Sequence, residues 1–539
     1  MRKCGKFLLF FLPFLLCRTA FAFDWKTGKM NFTFTSDVYY QDVVGMEESS
    51  LLHEGWNYLE ELQGDFTQQL IKGKLNVDAH FHIRTSNDPQ HQIAERDFMF
   101  VEGYARLYND AFEIWGGDYA ENYTSYTLST SLLGLKSSCQ IKDWLKVYVL
   151  WGRNRDEELD GYVRYTAGGR VELIHKGITL GTTVVYSDVD RDSLKEDSPI
   201  GDELNYVFGA DLHLSLWDRL KIDGEFARSI YNEDQRDESV DDIYDSAYLL
   251  SAELILRSNL TLKGEFERVE PWFRSVHGSP SSDMQRYKGE IQYLPLDELG
   301  LFLLYEFSYD KVSHHSEMEN RTYMEMTSFN ADLKPFIKRQ DIWNTLGFTF
   351  QADYTKTYSD DSPRTLDTED LRLSTTASQS FSFWNYSVGY SYSRTWDHVD
   401  ETTEYFTHSP SFSLGFNYNW LALSWNWNFG FSFTRKETVL MHIVDRSYRG
   451  EGGLGLSYDK TRSNLNMNVT AEYCDNSSLT GAPDNFRWTY SAMFDQVIKE
   501  TESLSITLSL SASYSDYDEY DSDGDYEETI YHIKLNMRF

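Results

Sequence analysis

The nine residues Tyr531-His-Ile-Lys-Leu-Asn-Met-Arg-Phe539 alternate without a break. Tyr531, Ile533, Leu535, Met537 and Phe539 are apolar, and His532, Lys534, Asn536 and Arg538 between them are polar or charged. Side chains of a β-strand point to opposite faces with period two, so the stretch reads as a strand with one apolar and one polar face. One such strand fits a soluble sheet as well as any other. Its meaning depends on whether the rest of the chain repeats it.

The chain does repeat it. Leu75, Val77, Ala79, Phe81 and Ile83 alternate with Asn76, Asp78, His80, His82 and Arg84; Leu421, Leu423, Trp425, Trp427, Phe429, Phe431 and Phe433 alternate with Ala422, Ser424, Asn426, Asn428, Gly430, Ser432 and Thr434. Read in order, the pattern places strands near 30–41, 56–70, 73–85, 97–107, 111–118, 132–141, 143–152, 162–176, 178–190, 203–215, 219–231, 245–257 and 259–270. It continues at 284–294, 300–310, 321–333, 343–357, 368–382, 384–396, 405–418, 422–435, 446–458, 462–475, 485–497, 502–516 and 526–539. The count is about 26 strands, within a range of about 24 to 28.

The connections alternate in length. Lys72-Gly73, His175-Lys176-Gly177, Ser258-Asn259 and Asp459-Lys460-Thr461-Arg462 are turn-like, whereas 42–55, 86–96, 191–202, 232–244, 271–283, 311–320, 358–367, 436–445 and 476–484 are long and polar. Lipid offers backbone groups no hydrogen-bond partner, so a sheet that crosses a bilayer must close on itself. An even strand number with short turns at one end and long loops at the other is the layout of a closed antiparallel transmembrane barrel. The fold expected is therefore all-β, a single barrel over 23–539, with no plug domain.

Arg2, Lys3 and Lys6 precede an apolar run from Phe7 to Cys17, and Ala20-Phe21-Ala22 offers a small-x-small cleavage site. Residues 1–22 thus read as a secretory signal peptide. That run is too short and too broken by Pro13 to cross a bilayer as a helix, and no later stretch approaches one. Without residues 1–22 the chain holds 46 basic against 85 acidic residues, a formal charge of −39. Such a protein repels polyanions, which excludes nucleic acid as a partner class. Cys139 and Cys474 remain after processing, on strands far apart around a barrel, so no disulfide is expected.

If the apolar face meets lipid, the polar face lines the lumen. Asp78, His80, His82, Arg84, Glu102, Arg106, Glu225, Glu265 and Lys534 are then lumen-lining candidates. The segments 220–226 and 260–266 are near-copies, and later strands place small groups inside, such as Ser387, Gly389, Ser391 and Ser393. The wall divides into a charged sector and a Ser/Gly/Asn sector. The long loops carry acidic runs, 190–197, 233–242 and 516–525, whose carboxylates are hard ligands, but Asp521-Ser-Asp523-Gly-Asp525 lacks the glycine and glutamate spacing of a calcium loop.

No Cys-x-x-Cys-His haem motif and no phosphate-binding glycine motif occurs, so no cofactor is expected. His80, His82 and Asp78 share a face, yet no metal site is assigned to them. Serines and aspartates are too numerous to single out a hydrolase constellation, and the chain reads as no enzyme.

The aromatic end of the last strand, Tyr531 to Phe539, resembles the C-terminal signal by which the outer-membrane assembly machinery recognises β-barrel clients. That resemblance implies residence in the cell outer membrane of a Gram-negative bacterium, with contacts to outer-membrane lipid, lipopolysaccharide and the barrel assembly machinery. In architecture and size the chain resembles large plugless porins, including the porin component of porin–cytochrome conduits, although the N-terminal Cys-x-x-Cys of some members is missing. The function so implied is a passive pore, or a sleeve for a periplasmic or lumenal protein partner such as a multihaem cytochrome. The alternative is a surface-interaction barrel working through its acidic loops.

Overall fold

The computed structural model describes residues 28–45, 52, 54–71, 74–92, 96–155, 161–194, 200–339, 341–476, 484–501, 503–520 and 524–539. The expected signal peptide, and parts of the acidic runs at 195–197 and 521–523, lie outside the described residues.

The strands are β1 Gly28–Gly45, β2 Gly55–Ile71, β3 Leu75–Ser86, β4 Phe98–Tyr108, β5 Phe112–Thr124, β6 Leu128–Lys142, β7 Leu145–Arg153, β8 Arg164–His175 and β9 Ile178–Val189. Next come β10 Leu204–Leu216, β11 Leu220–Asn232, β12 Ile243–Arg257, β13 Leu260–Val269, β14 Met284–Leu296, β15 Leu299–Asp310, β16 Thr322–Leu333, β17 Gly347–Ser359 and β18 Asp367–Ser380. The last are β19 Trp384–Asp397, β20 Tyr405–Trp420, β21 Leu423–Thr438, β22 Val444–Tyr458, β23 Ser463–Asp475, β24 Asn485–Thr501, β25 Leu504–Glu519 and β26 Tyr526–Arg538. All join one 26-stranded antiparallel sheet in which each strand pairs with its sequence neighbours. The sheet closes where β26 pairs with β1, from Thr33 opposite Arg538 to Gly45 opposite Tyr526.

Closure explains the composition. A ring of strands has no open edge, so long strands need no charge or proline to guard them. The outward face carries the exposed aliphatic and aromatic residues, among them Val184, Phe208, Phe226, Tyr248, Leu250, Phe429, Tyr531 and Ile533. Trp56, Phe98 and Tyr244 sit near its long-loop end, and Tyr418 and Trp420 near its short-turn end. Aromatic belts flanking an aliphatic band are what two membrane interfaces select.

Two stretches depart from the period-two reading. Residues 343–346, expected to open a strand, instead form most of a short 3₁₀ turn, Ile342–Thr345, and its cap Leu346; the Asp341 side chain begins the turn by accepting from the Trp343 amide at 3.1 Å. The alternation also puts 119–131 outside the strands. In the structure β5 runs on to Thr124 and β6 starts at Leu128, making one hairpin with a three-residue tip.

Candidate functional site

That hairpin does not stay in the wall. β5 pairs with β4 only between Glu113 and Gly117, and β6 pairs with β7 only from Leu133 onward. Beyond those points residues 118–132 leave the sheet and fold onto its inner, polar face. The hinge is Gly117, at φ +109°, a conformation open to glycine and costly to any residue with a Cβ. Any Cβ there would also lie 2.3 Å from the Gly103 carbonyl oxygen.

The departure leaves strand edges that side chains must cover. Asp118 accepts from the Gly103 amide at 2.7 Å and from Arg155 at 2.9 Å, and Arg155 also donates to the Phe100 carbonyl at 2.9 Å. On the other side Tyr119 donates to the Trp151 carbonyl at 3.1 Å. These side chains replace hydrogen bonds that a continuous ladder would make.

The tip of the hairpin lands on β10–β13. Gly209, Ala227, Ala247 and Val269 stand directly across from one another there, small or apolar residues on an otherwise charged face. Tyr126 fills the space they leave and is 1 % exposed, packed edge-on against Phe273. Its hydroxyl donates to Glu267 at 2.8 Å and its amide to Glu225 at 2.9 Å. Tyr119, Leu128 and Leu132 pack against Leu150 and Val185 on the same inner face nearer the hinge. Covering a large apolar side chain fully is worth about 1.5–3 kcal/mol.

A second segment locks the first. The connection 270–283 after β13 turns back along the inner face, meeting one strand after another. The Trp272 amide bonds Asp245 of β12 at 3.1 Å, and the Arg274 amide bonds Ser229 of β11 at 3.0 Å. The Val276 amide bonds Asn205 of β10 at 3.2 Å, and His277 meets Thr166 of β8 at 2.7 Å. It then pairs with the hairpin itself: Ser129 donates to the His277 carbonyl at 2.7 Å and Ser279 to the Ser125 carbonyl at 3.0 Å. Burial, with Arg164 nearby, pushes the His277 imidazole down to about 4.

The lumen candidates named from sequence all fall on the polar face, but they do not form one site. Asp78, His80, His82, Arg84, Glu102 and Arg106 fall into three ion-pair clusters on β2–β5. His80 contacts Asp65 at 2.8 Å and Glu102 at 3.5 Å, His82 and Arg84 reach Glu61 at 3.3 and 2.8 Å, and Arg106 bonds Glu113 at 2.9 Å and lies 3.9 Å from Asp78. Both histidines are thus held by carboxylates of neighbouring strands, and among the described residues no group of three or more ligating side chains is placed to hold a metal ion. Glu225 and Glu265 lie on β11 and β13, the former under Tyr126, the latter bonded to Arg286 at 2.8 Å. Lys534 stands opposite Asp37 across the seam, where His532 approaches the Asp37 carboxylate at 3.1 Å. Cys139 and Cys474 lie on β6 and β23 as free thiols.

Sequence reasoning missed the hairpin and the segment that locks it. One signal was available: Gly209, Ala227, Ala247 and Val269 interrupt a charged inner face at one level on four consecutive strands.

A closed ring of strands, apolar outside, belted by aromatics and polar within, is built to cross a bilayer. The chain is a large closed β-barrel of 26 antiparallel strands. No family model matches its sequence, and no curated protein is significantly similar to it. Solved structures of similar fold include a chain of the E. coli P pilus tip assembly intermediate PapC-PapD-PapK-PapG, at 10% identity and TM-score 0.47. The match covers 95% of this barrel and 61% of that chain, so this protein spans less than two thirds of its length. Others are OprD from Pseudomonas aeruginosa, at 10% identity and TM-score 0.32 over 69% of this chain and 94% of that one, and a BenF-like porin from Pseudomonas fluorescens, at 9% identity and TM-score 0.28 over 95% and 99%.

Proposed function

We propose that the barrel is a passive pore for solutes, narrowed from within by its own wall. The observation that carries this reading is the hairpin 118–132, seated on the inner face of β7–β13 and pinned there by Tyr126 and the segment 270–283. A barrel wider than one of about 16–18 strands encloses a water-filled channel unless something occupies it. Here the occupant covers one sector, and the sector it leaves open is the Ser/Gly/Asn wall of β17–β25. Small side chains leave room between the scattered charges of this sector, among them Asp353, Arg372, Glu451 and Asp495, so solutes are expected to pass along that side.

The sleeve reading, in which a lumenal protein such as a multihaem cytochrome fills the barrel, is weaker on the same observation, because the hairpin already takes up lumen space. It predicts co-purification of such a partner. The surface-interaction reading rests on acidic loops that include residues outside those described, and nothing in the geometry favours it over transport.

Conductance tests the proposal. The purified protein in a planar bilayer should give discrete channels, and replacing 120–130 by an Asn-Gly turn should raise their conductance about twofold or more by removing the lumenal obstruction. A wild-type protein that inserts but passes no current would refute the pore; equal conductance in the shortened variant would refute the constriction.

A further inference from the structure

At the short-turn end of β20–β23 the inner face carries six asparagines, Asn417, Asn419, Asn426, Asn428, Asn466 and Asn468, around a trough of about 490 Å³. Their placement follows from register. Asn417 stands opposite Asn426, Asn426 opposite Gly455 and Gly455 opposite Asn466; one step along, Asn428 stands opposite Gly453 and Gly453 opposite Asn468. The two glycines of β22 form the floor. A Cβ at Gly453 would lie 2.1 Å from Asn428 Oδ1 and 2.8 Å from Asn468 Oδ1, so the carboxamides of β21 and β23 lean towards each other over a gap that only glycine leaves.

All six asparagines are exposed to the lumen, and none of their side chains hydrogen-bonds another protein group among the described residues. This distinguishes the trough from the charged part of the lumen. On β2–β4 and β8–β14 the polar side chains are consumed by one another, as in the row Lys221, Glu253, Lys263, where Glu253 is 3.3 and 3.7 Å from the two lysines. In the trough the hydrogen-bonding capacity is left over. No ionisable residue lines it. Each carboxamide offers two donor hydrogens and an acceptor oxygen. Rigid strands set Asn417 and Asn426 about 4.8 Å apart across the sheet, Asn426 and Asn466 about twice that, and successive asparagines of one strand about 6.8 Å apart.

We infer that this trough is a binding surface for an uncharged, hydroxyl-rich solute of the oligosaccharide class. A hydroxyl group both donates and accepts, as a carboxamide does, so a polyol can satisfy a row of amides while a cation or anion satisfies only half of each. The absence of charge removes the attraction that would select ions. Trp425 borders the trough, but most of its lining is carboxamide and serine, so contact is chiefly by hydrogen bonds and exchange is fast. Such a surface suits a molecule that slides past. The inference deepens the pore reading and rests on it for its biological sense, but binding itself does not require conduction.

The test is therefore made at equilibrium as well as across a bilayer. The full-length protein, in a detergent without a sugar headgroup, is mixed with maltohexaose and examined by saturation-transfer difference NMR. The triple variant Asn426→Ser, Asn428→Ser, Asn468→Ser serves as comparison, since serine already occupies many inner positions of these strands and preserves a small polar wall. Wild type should give a saturation-transfer signal, and the triple variant should lose about tenfold in affinity, the effect of removing a few neutral hydrogen bonds. No signal with wild type, or equal signals from both proteins, would overturn the inference. Single-channel recording of the same two proteins reports separately on the pore: absent current with an intact NMR signal refutes the pore while leaving the binding surface supported.

Discussion

Arg170 reaches its partner across an intervening strand. It stands on β8, and its two terminal nitrogens grip the Asp211 carboxylate of β10 at 2.5 and 2.8 Å, while Nε bonds Glu172 at 2.8 Å and Nη1 bonds Thr183 at 3.0 Å. The path is open because position 181 on β9, between them, is glycine. A Cβ there would lie 2.4 Å from Arg170 Nη2 and 2.5 Å from Asp211 Oδ1. Gly181→Val should break this buried fork and lower stability by about 3 kcal/mol, the cost of leaving buried charges unpaired. Urea unfolding in micelles, followed by tryptophan fluorescence, measures it; an unchanged midpoint would contradict the account. His277 gives a pH dependence at the same scale. Its imidazole titrates near 6.5 when undocked and near 4 when docked, so the neutral form is the one the segment 270–283 binds. Docking is at full strength above about pH 6.5 and weakens as pH falls through the interval to about 4, by up to roughly 3 kcal/mol. Channel recordings should grow noisier between pH 7 and 5 in wild type, whereas His277→Gln should show no such change over that range.

The hairpin of β5 and β6 shows why one element escaped a reading that located the rest. Strands in the wall face lipid on one side, which forces apolar residues into every second position, and that selection is what the sequence displays. Residues 119–131 face water and protein instead. Tyr119, Glu121 and Tyr123 on one side and Ala120, Asn122 and Thr124 on the other present no apolar face, although the backbone is as extended as in any other strand. The lumen candidates were legible as a face and illegible as clusters, because period two reports orientation while cross-strand neighbours depend on register. Glu225 was visible as an inner residue, but not as the acceptor of an amide 99 positions earlier. The hinge carries its own prediction. Gly117→Val combines a left-handed φ with a collision against the backbone of β4, so the hairpin should fail to fold inward. Trypsin is a suitable probe: cleavage at Arg155, which Asp118 of the hairpin holds, should quicken in the variant. Resistance equal to wild type would show that the bend does not depend on glycine.

At the scale of the whole barrel the decisive contact is the one between the most distant parts of the chain. Every other strand pair joins sequence neighbours, whereas β1 and β26 must meet across the full length of the protein, and loop-closure entropy makes such a pairing late to form. The seam is reinforced accordingly. Phe32 and Phe539 exchange backbone hydrogen bonds of 2.6 and 2.9 Å, and their rings lie 5.8 Å apart. Tyr39 stacks on His532 at 4.9 Å, and His532 contacts Asp37 on the inner side. Phe539→Ala removes a ring from the end of this seam without touching the hairpin, the segment that locks it or the asparagine trough. It should therefore impair closure and leave the properties of any closed barrel intact. The expected outcome is a reduced amount of folded, heat-modifiable protein in the outer membrane, with the surviving fraction showing wild-type single-channel conductance. Normal accumulation would show that the seam closes without Phe539, and altered conductance in correctly folded barrels would show that the seam shapes the pore as well as sealing it.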